Sequence, residues 1–433
     1  MKNLRPYPAY KPTGLAWLPE VPREWEMLRG KFLFTKMERP VRPQDEVVTC
    51  FRDGEVTLRK NRRLEGFTES LKEIGYQGVR KGDLVIHVMD AFAGSVGVSD
   101  SDGKSTPVYS VCVPKKSGIN NYYYAHIVRV MAKTGYIQSL YRGIRERSSD
   151  FRFEVFGNQF LPVPPPAEQE AIVAYLDEKT AKIDRLIKLK EREIKLLNEK
   201  KQAVISKVVT RGLDPNAELV DSGVDWIGKV PRGWKKDRLK YVAQSNLRSL
   251  SEKTDPTWKF RYLDIGSVGT GYVKVDPENY SFADSPSRAR RLVDEGDTIV
   301  STVRTYLKSV LFITSEYKDC VVSTGFSVLK PNLEKVTARF LGCVLMSDYF
   351  VNSVILHSTG VSYPAINDST LSALPVVLPP LSEQREIVAC LDAEGAKTDK
   401  AIGAVTRQIG LLKEYRTRLI SDAVTGRIDL RKL

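Results

Sequence analysis

Two stretches of this chain carry an apolar stripe that returns in alternating steps of four and three residues. The first holds Leu176, Thr180, Ile183, Ile187, Lys190, Ile194, Leu197, Lys201, Val204 and Val208; the second holds Leu391, Gly395, Thr398, Ile402, Val405, Ile409, Leu412, Arg416, Leu419 and Ala423. Such stepping is the seam of a helix that pairs lengthwise with another helix. The stripes match position for position at an offset of 215 residues, as from Glu168 to Glu383. They predict long helices over about 168–211 and 383–425. Each follows a proline cluster, which readily precedes a helix but cannot sit inside one. Each has Glu in its first turn, where the helix dipole favours negative charge, and each stops at a glycine, Gly212 or Gly426. At ~1.5 Å per residue each would reach ~60 Å. The alternative is two amphipathic helices packed on separate domains. Two matched stripes, both long and narrow, favour pairing with each other, and the short linker makes an antiparallel coiled coil sterically simple. The expected contacts are Leu176, Ile183, Ile187, Ile194 and Leu197 on the first helix and Ile402, Val405, Ile409, Leu412 and Leu419 on the second. Lys201 and Arg416 occupy the same seam site, where a basic residue costs stability but fixes register.

The blocks before each helix have a different period. Leu84–Val88 follows Lys81-Gly82-Asp83, and Thr298–Val303 follows Glu295-Gly296-Asp297; Gly-Asp makes the turn and the β-branched run makes the strand. Further strands are predicted at Val108–Val113, Val310–Thr314 and Phe326–Leu329, and helices at Tyr122–Ala132 and Ala338–Phe350. Each block is thus mixed α/β and, at ~150 residues, large enough for its own core. The lead-in segments also repeat. Trp17-Leu18-Pro19-Glu20-Val21-Pro22-Arg23-Glu24-Trp25 returns as Trp226-Ile227-Gly228-Lys229-Val230-Pro231-Arg232-Gly233-Trp234, and the two tryptophan pairs are expected to pin each block onto the helices. Between these anchors the blocks share little sequence, so one fold carries two different surfaces. The reading is an α+β chain with an internal pseudo-two-fold repeat: block 1–165, helix 166–212, linker and block 213–378, helix 379–433.

Charge adds a class of partner. The 433 residues include 67 Lys and Arg against 53 Asp and Glu, a net charge of +14. That excess attracts polyanions. Basic clusters lie near aromatic residues in both blocks: Arg59, Lys60, Arg62 and Arg63 before Phe67, and Arg142, Arg145 and Arg147 after Tyr122-Tyr123-Tyr124. The second block offers Arg288, Arg290, Arg291, Arg304 and Lys308. These twelve are the candidate DNA-binding residues, because Lys and Arg neutralise phosphates and Arg also reads base edges. The bland reading of any one cluster is a solvated, salt-bridged surface.

Other chemistry is not indicated. Five scattered cysteines without a C-x-x-C, and three histidines, suggest buried thiols rather than a zinc site. Gly223–Lys229 has the skeleton of a phosphate-binding loop, but Val230 stands where a magnesium-holding hydroxyl is needed. No catalytic signature is present, so no catalytic or metal site is expected. There is no apolar run long enough to cross a membrane and no apolar signal region at the N-terminus; a cytoplasmic location is expected.

In this layout the chain resembles the DNA specificity subunits of Type I restriction–modification systems. The resemblance rests on Gly14–Trp25 and Gly223–Trp234, on Leu161–Gln169 and Leu374–Gln384, and on the helix ends Ile205–Thr210 and Ile420–Gly426. Gly395 and Gly403 inside the second helix are small departures. The resemblance implies two target-recognition domains separated by helices that form a long coiled coil, each domain reading half of an asymmetric bipartite DNA target. It implies a non-catalytic scaffold for two methyltransferase subunits and for restriction motor–nuclease subunits. S-adenosylmethionine, ATP and magnesium would then be used by those partners and not by this chain. The alternatives are a self-contained nucleic-acid enzyme and a coiled-coil protein adaptor.

Overall fold

The computed structural model describes residues 5–62, 73–140 and 150–431. The chain divides into two compact units, residues 1–189 with 408–433 and residues 190–407. Each long helix, Pro166–Arg211 and Leu381–Val424, contributes a segment to both. The first helix opens on Pro166, whose missing N–H costs nothing in the first turn. Both helices end at glycines with positive φ, Gly212 at 68° and Gly426 at 74°. A side chain at Gly212 would stand 3.1 Å from Glu383 Oε1 and 3.4 Å from Trp234. One at Gly426 would run into Pro22 and Trp25.

The first unit is built on an antiparallel sheet in the order Phe34–Met37, Tyr109–Pro114, Leu84–His87, Val96–Val98. The helix Asn121–Lys133 packs against it through Tyr123, Tyr124, Ile127 and Val128, all buried. An aromatic cluster fills the space towards the lead-in segment: Trp25 meets Tyr7 and Tyr123 edge-on, and Phe34 meets Tyr124 and Phe156.

The second unit repeats that sheet as Ala243–Ser245, Phe326–Pro331, Thr298–Ser301, Val310–Phe312, again antiparallel throughout. It adds another four-stranded sheet, Glu278–Ser281, Lys259–Leu263, Cys320–Ser323, Ala289–Leu292, in which the two inner strands run parallel. Among the described residues, the corresponding part of the first unit has two-stranded pieces, Val48–Cys50 with Val56–Leu58 and Gln77–Val79 with Gly103–Ser105.

The expected single helix over 338–350 is two, Ala338–Met346 and Asp348–Leu356, bent by 60°. Ser347 takes an extended conformation between them, with its hydroxyl donating to Val344 O at 2.5 Å. The Asp348 N–H donates to Ser206 Oγ of the first long helix at 2.8 Å, which seats the second piece on that helix. Among the described residues no single helix is long and apolar enough to cross a membrane, and this bent pair lies largely buried in the second unit's core.

Candidate nucleic-acid interface

The scaffold comes first, because it holds the surface loops. In the second unit the two helix segments run antiparallel: Lys201 pairs with Asp399 at 2.8 Å, while Gly212 lies beside Glu383. In the first unit Arg416 pairs with Asp184 at 2.8 Å. The offset that takes Lys201 to Arg416 also takes Asp184 to Asp399, so the same ion pair is built once in each unit. Of the seam residues, Leu176, Ile183, Ile187, Val405, Ile409 and Leu419 are buried, and Ile194, Leu197, Ile402 and Leu412 are half-buried.

The Glu-Gln pair at each helix start has a chemical reason that spacing alone does not reveal. Gln169, 1% exposed, accepts from the Asn120 N–H at 2.9 Å and donates to Pro164 O at 2.9 Å. Gln384, 0% exposed, accepts from the Thr337 N–H at 2.8 Å and donates to Pro379 O at 3.0 Å and Lys335 O at 3.1 Å. Asn120 and Thr337 are the N-caps of the helices Asn121–Lys133 and Ala338–Met346. Each glutamine therefore ties its unit's helix to the start of a long helix. The neighbouring glutamates hold the lead-in segments: Glu168 accepts from the Tyr7 hydroxyl, and Glu383 accepts from Trp234 Nε1 at 3.2 Å. Trp25 and Trp234 thus sit at helix ends. Trp17 and Trp226 instead meet Tyr136 and His357 of their own blocks.

In the first unit, Arg59 and Lys60 form a single 3-10 turn with Asn61. Lys60 pairs with Glu46 at 2.5 Å. Arg62 is held by Asp53 at 2.7 Å and Glu55 at 2.8 Å, and stacks 4.2 Å from the Phe51 ring centroid. Arg63, Arg142, Arg145 and Arg147 lie outside the described residues, as does Phe67.

In the second unit the basic candidates separate into three environments. Arg290 leans over Phe282 at 4.7 Å, with Glu252 at 3.9 Å. Arg291 is half-buried on the same strand, and burial pushes its guanidinium below the usual range. Arg288 and Arg304 are exposed and line one cavity of about 630 Å³ together with Val303, Thr324, Gly325 and Tyr363. Lys308 is exposed at the far end of the turn Thr305–Leu307, with Asn352 Oδ1 at 3.4 Å. The sequence reading missed Tyr363, whose ring centroid lies 5.1 Å from the Arg304 guanidinium. Its only signal was its place in a Gly-Val-Ser-Tyr-Pro turn.

Among the described residues no group of three or more His, Cys, Asp or Glu is placed to hold a metal ion. Four of the five cysteines are buried, and burial pushes the Cys343 thiol up to about 11.

Residues 231–405 match the Type I restriction modification DNA specificity domain. The MjaVIII specificity subunit of a Type I restriction enzyme from Methanocaldococcus jannaschii is 24% identical over 65% of this chain, and the match spans 64% of that protein. The putative MjaX specificity subunit from the same organism is 22% identical over 95% of both chains. A solved chain described under complex assembly and conformational transition of the type I R-M system has the same fold, with a TM-score of 0.63 at 17% identity over 93% of this chain and 98% of its own. Over residues 231–405 the chain is thus similar to that specificity domain, and over most of its length to specificity subunits of Type I restriction enzymes.

Proposed function

We propose that this chain is the sequence-specific DNA-binding subunit of a Type I restriction–modification complex, reading a bipartite, asymmetric duplex target with one recognition domain per half. The observation that carries the reading is repetition with divergence. The same sheet order, the same glutamine clamp and the same ion pair occur in both units, while their outward loops and second-layer strands differ. A scaffold duplicated so closely under such different surfaces suits two related tasks on two unlike sequences. Backbone charge supplies salt-sensitive affinity, and loop arginines supply base readout. The paired helices act as an antiparallel coiled coil that sets the gap between half-sites. The chain itself makes and breaks no covalent bond. Its partners are two methyltransferase subunits, which use S-adenosylmethionine, and restriction motor–nuclease subunits, which use ATP and magnesium. All of this takes place in the cytoplasm.

The test is to express the chain with its own methyltransferase partner in a host free of adenine methylation and to map modified adenines across the genome. A two-part motif with a fixed unread gap is the expected result. Methylation at one continuous motif, or methylation that persists unchanged when this chain is omitted, overturns the reading.

A further inference from the structure

The turn between strands Thr298–Ser301 and Val310–Phe312 holds two non-glycine residues in the left-handed region, Arg304 at φ 53° and Lys308 at φ 54°. Such backbone persists only where its surroundings over-determine it, and it gathers at sites of function. Here the surroundings are the segment 358–366. The Thr305 N–H donates to Pro364 O at 3.3 Å, the Thr305 hydroxyl donates to Ser358 Oγ at 2.8 Å, and the Ile366 N–H donates to Thr302 O at 2.9 Å. That segment is itself closed by two hydrogen bonds between Thr359 and Ala365, both 2.9 Å. Its tip is Gly360-Val361-Ser362-Tyr363, with Gly360 at φ 107° making the reversal.

What the tip presents is unusual for a surface loop. Val361 is 102% exposed and Tyr363 65% exposed. Burying such side chains in water-excluded contact is favourable, and nothing in the unit does so. Beside them stand Arg304, stacked on Tyr363, and Arg288 across the cavity. Among the described residues neither arginine forms an ion pair with a carboxylate. An apolar wedge flanked by uncompensated guanidinium groups matches one kind of surface: a base step lined by phosphates.

We propose that the Gly360–Tyr363 tip is a wedge that enters the duplex in the second half-site and partly unstacks one base step, with Arg304 at the adjacent base edge and Arg288 on a phosphate. The proposal rests on the DNA-recognition reading given above and adds a mechanism to it: part of the second half-site is read through how easily that step deforms. Pyrimidine–purine steps open most readily, so such a step is the expected occupant. The stitched turn makes the wedge stiff, so that the energy of opening falls on the DNA rather than on the loop.

The experiment uses the full chain with its methyltransferase partner and duplexes carrying the motif that the methylation map returns. 2-Aminopurine is placed in turn at each position of both half-sites. With the parent chain, fluorescence is expected to rise several-fold at one step of the second half-site. V361S/Y363S should abolish that rise and weaken binding about tenfold, whereas Y363F should keep both. An unchanged fluorescence profile in V361S/Y363S, in a protein whose thermal unfolding matches the parent, overturns the wedge while leaving the recognition reading intact. Failure of the parent complex to bind any duplex overturns both.

Discussion

The two units put similar numbers of basic residues on similar scaffolds and use them differently. In the first unit several described cations are already balanced by carboxylates: Lys60 by Glu46, Arg62 by Asp53 and Glu55, Arg52 by Asp90, Arg80 by Asp45, and Arg39 by Asp83. In the second, Arg288 and Arg304 reach a shared cavity, and Arg304 meets the Tyr363 ring instead of a carboxylate. A phosphate that approaches Arg62 must displace two carboxylates, and one that approaches Arg304 displaces water. The lesson is that a count of lysine and arginine locates a face poorly. Whether each charge is already balanced locates it better.

The contrast also runs through the scaffold. Gln384 makes three hydrogen bonds across its clamp and Gln169 makes two. Each buried group left unpaired costs about 1–3 kcal/mol. Gln384→Ala should therefore destabilise its unit by about 3 kcal/mol, and Gln169→Ala its own by about 2 kcal/mol, as read by hydrogen exchange resolved along the chain in increasing urea. The largest loss of protection is expected in the helix Ala338–Met346, whose N-cap the clamp holds. Equal small losses in both units would mean that the clamps are incidental to stability.

DNA affinity offers the next test. Arg288→Ala with Arg304→Ala should weaken binding about 30- to 100-fold and reduce the salt slope by about 1 to 2. Lys60→Ala with Arg62→Ala should change affinity less than about threefold, because exposed ion pairs already satisfy both residues at little net energy. Fluorescence anisotropy at several salt concentrations separates the two outcomes. Equal losses would erase the difference drawn between the two surfaces.

Much of the architecture was legible in the sequence because it rests on periodicity and punctuation. Both long helices lie within two residues of their expected ends, stopped by Gly212 and Gly426 as a left-handed cap requires. The strands at 84–87 and 298–301 followed from β-branched runs after Gly-Asp turns, and those at 109–114 and 326–331 from apolar runs of strand type. What was not legible depended on contacts between distant residues. Ser347 breaks a continuous apolar run because the Val344 carbonyl, three residues earlier, accepts its hydroxyl and Ser206 accepts the next N–H. No window of sequence contains Ser206 and Asp348 together. The extra sheet of the second unit is hidden for the same reason, since its parallel pairing of Lys259–Leu263 with Cys320–Ser323 joins strands far apart in the chain. Among the basic candidates, residue type and clustering did not distinguish Arg62 from Arg304. The difference lies in Asp53 and Glu55 on one side and Tyr363 on the other.

The smallest expected effect concerns the first unit alone. His126, on the helix Asn121–Lys133, is held down to about 4 by burial and then by the positive charges of Arg129, Arg416 and Lys133. The carboxylate of Asp184 answers Arg416, and Lys133 reaches Thr417 Oγ1 at 3.4 Å, so among the described residues the ring itself gains no anionic partner. A histidine whose folded pKa lies below its unfolded value near 6.5 is neutral in the native state and takes up a proton on unfolding. Its contribution is therefore constant above about pH 6.5, and stability falls as pH drops from there towards 4. The full displacement would be worth about 1.4 kcal/mol per pH unit; for a ring that is half-buried, about 1–2 kcal/mol in all is expected. The matching helix of the second unit, Ala338–Met346, contains no histidine. Replacing His126 with Gln should flatten the decline of the first unit between pH 6.5 and 4.5 and leave the second unchanged, with hydrogen exchange following each separately. A parent and variant that lose stability in parallel over that interval would assign the decline to carboxylates and remove His126 as the source of the difference.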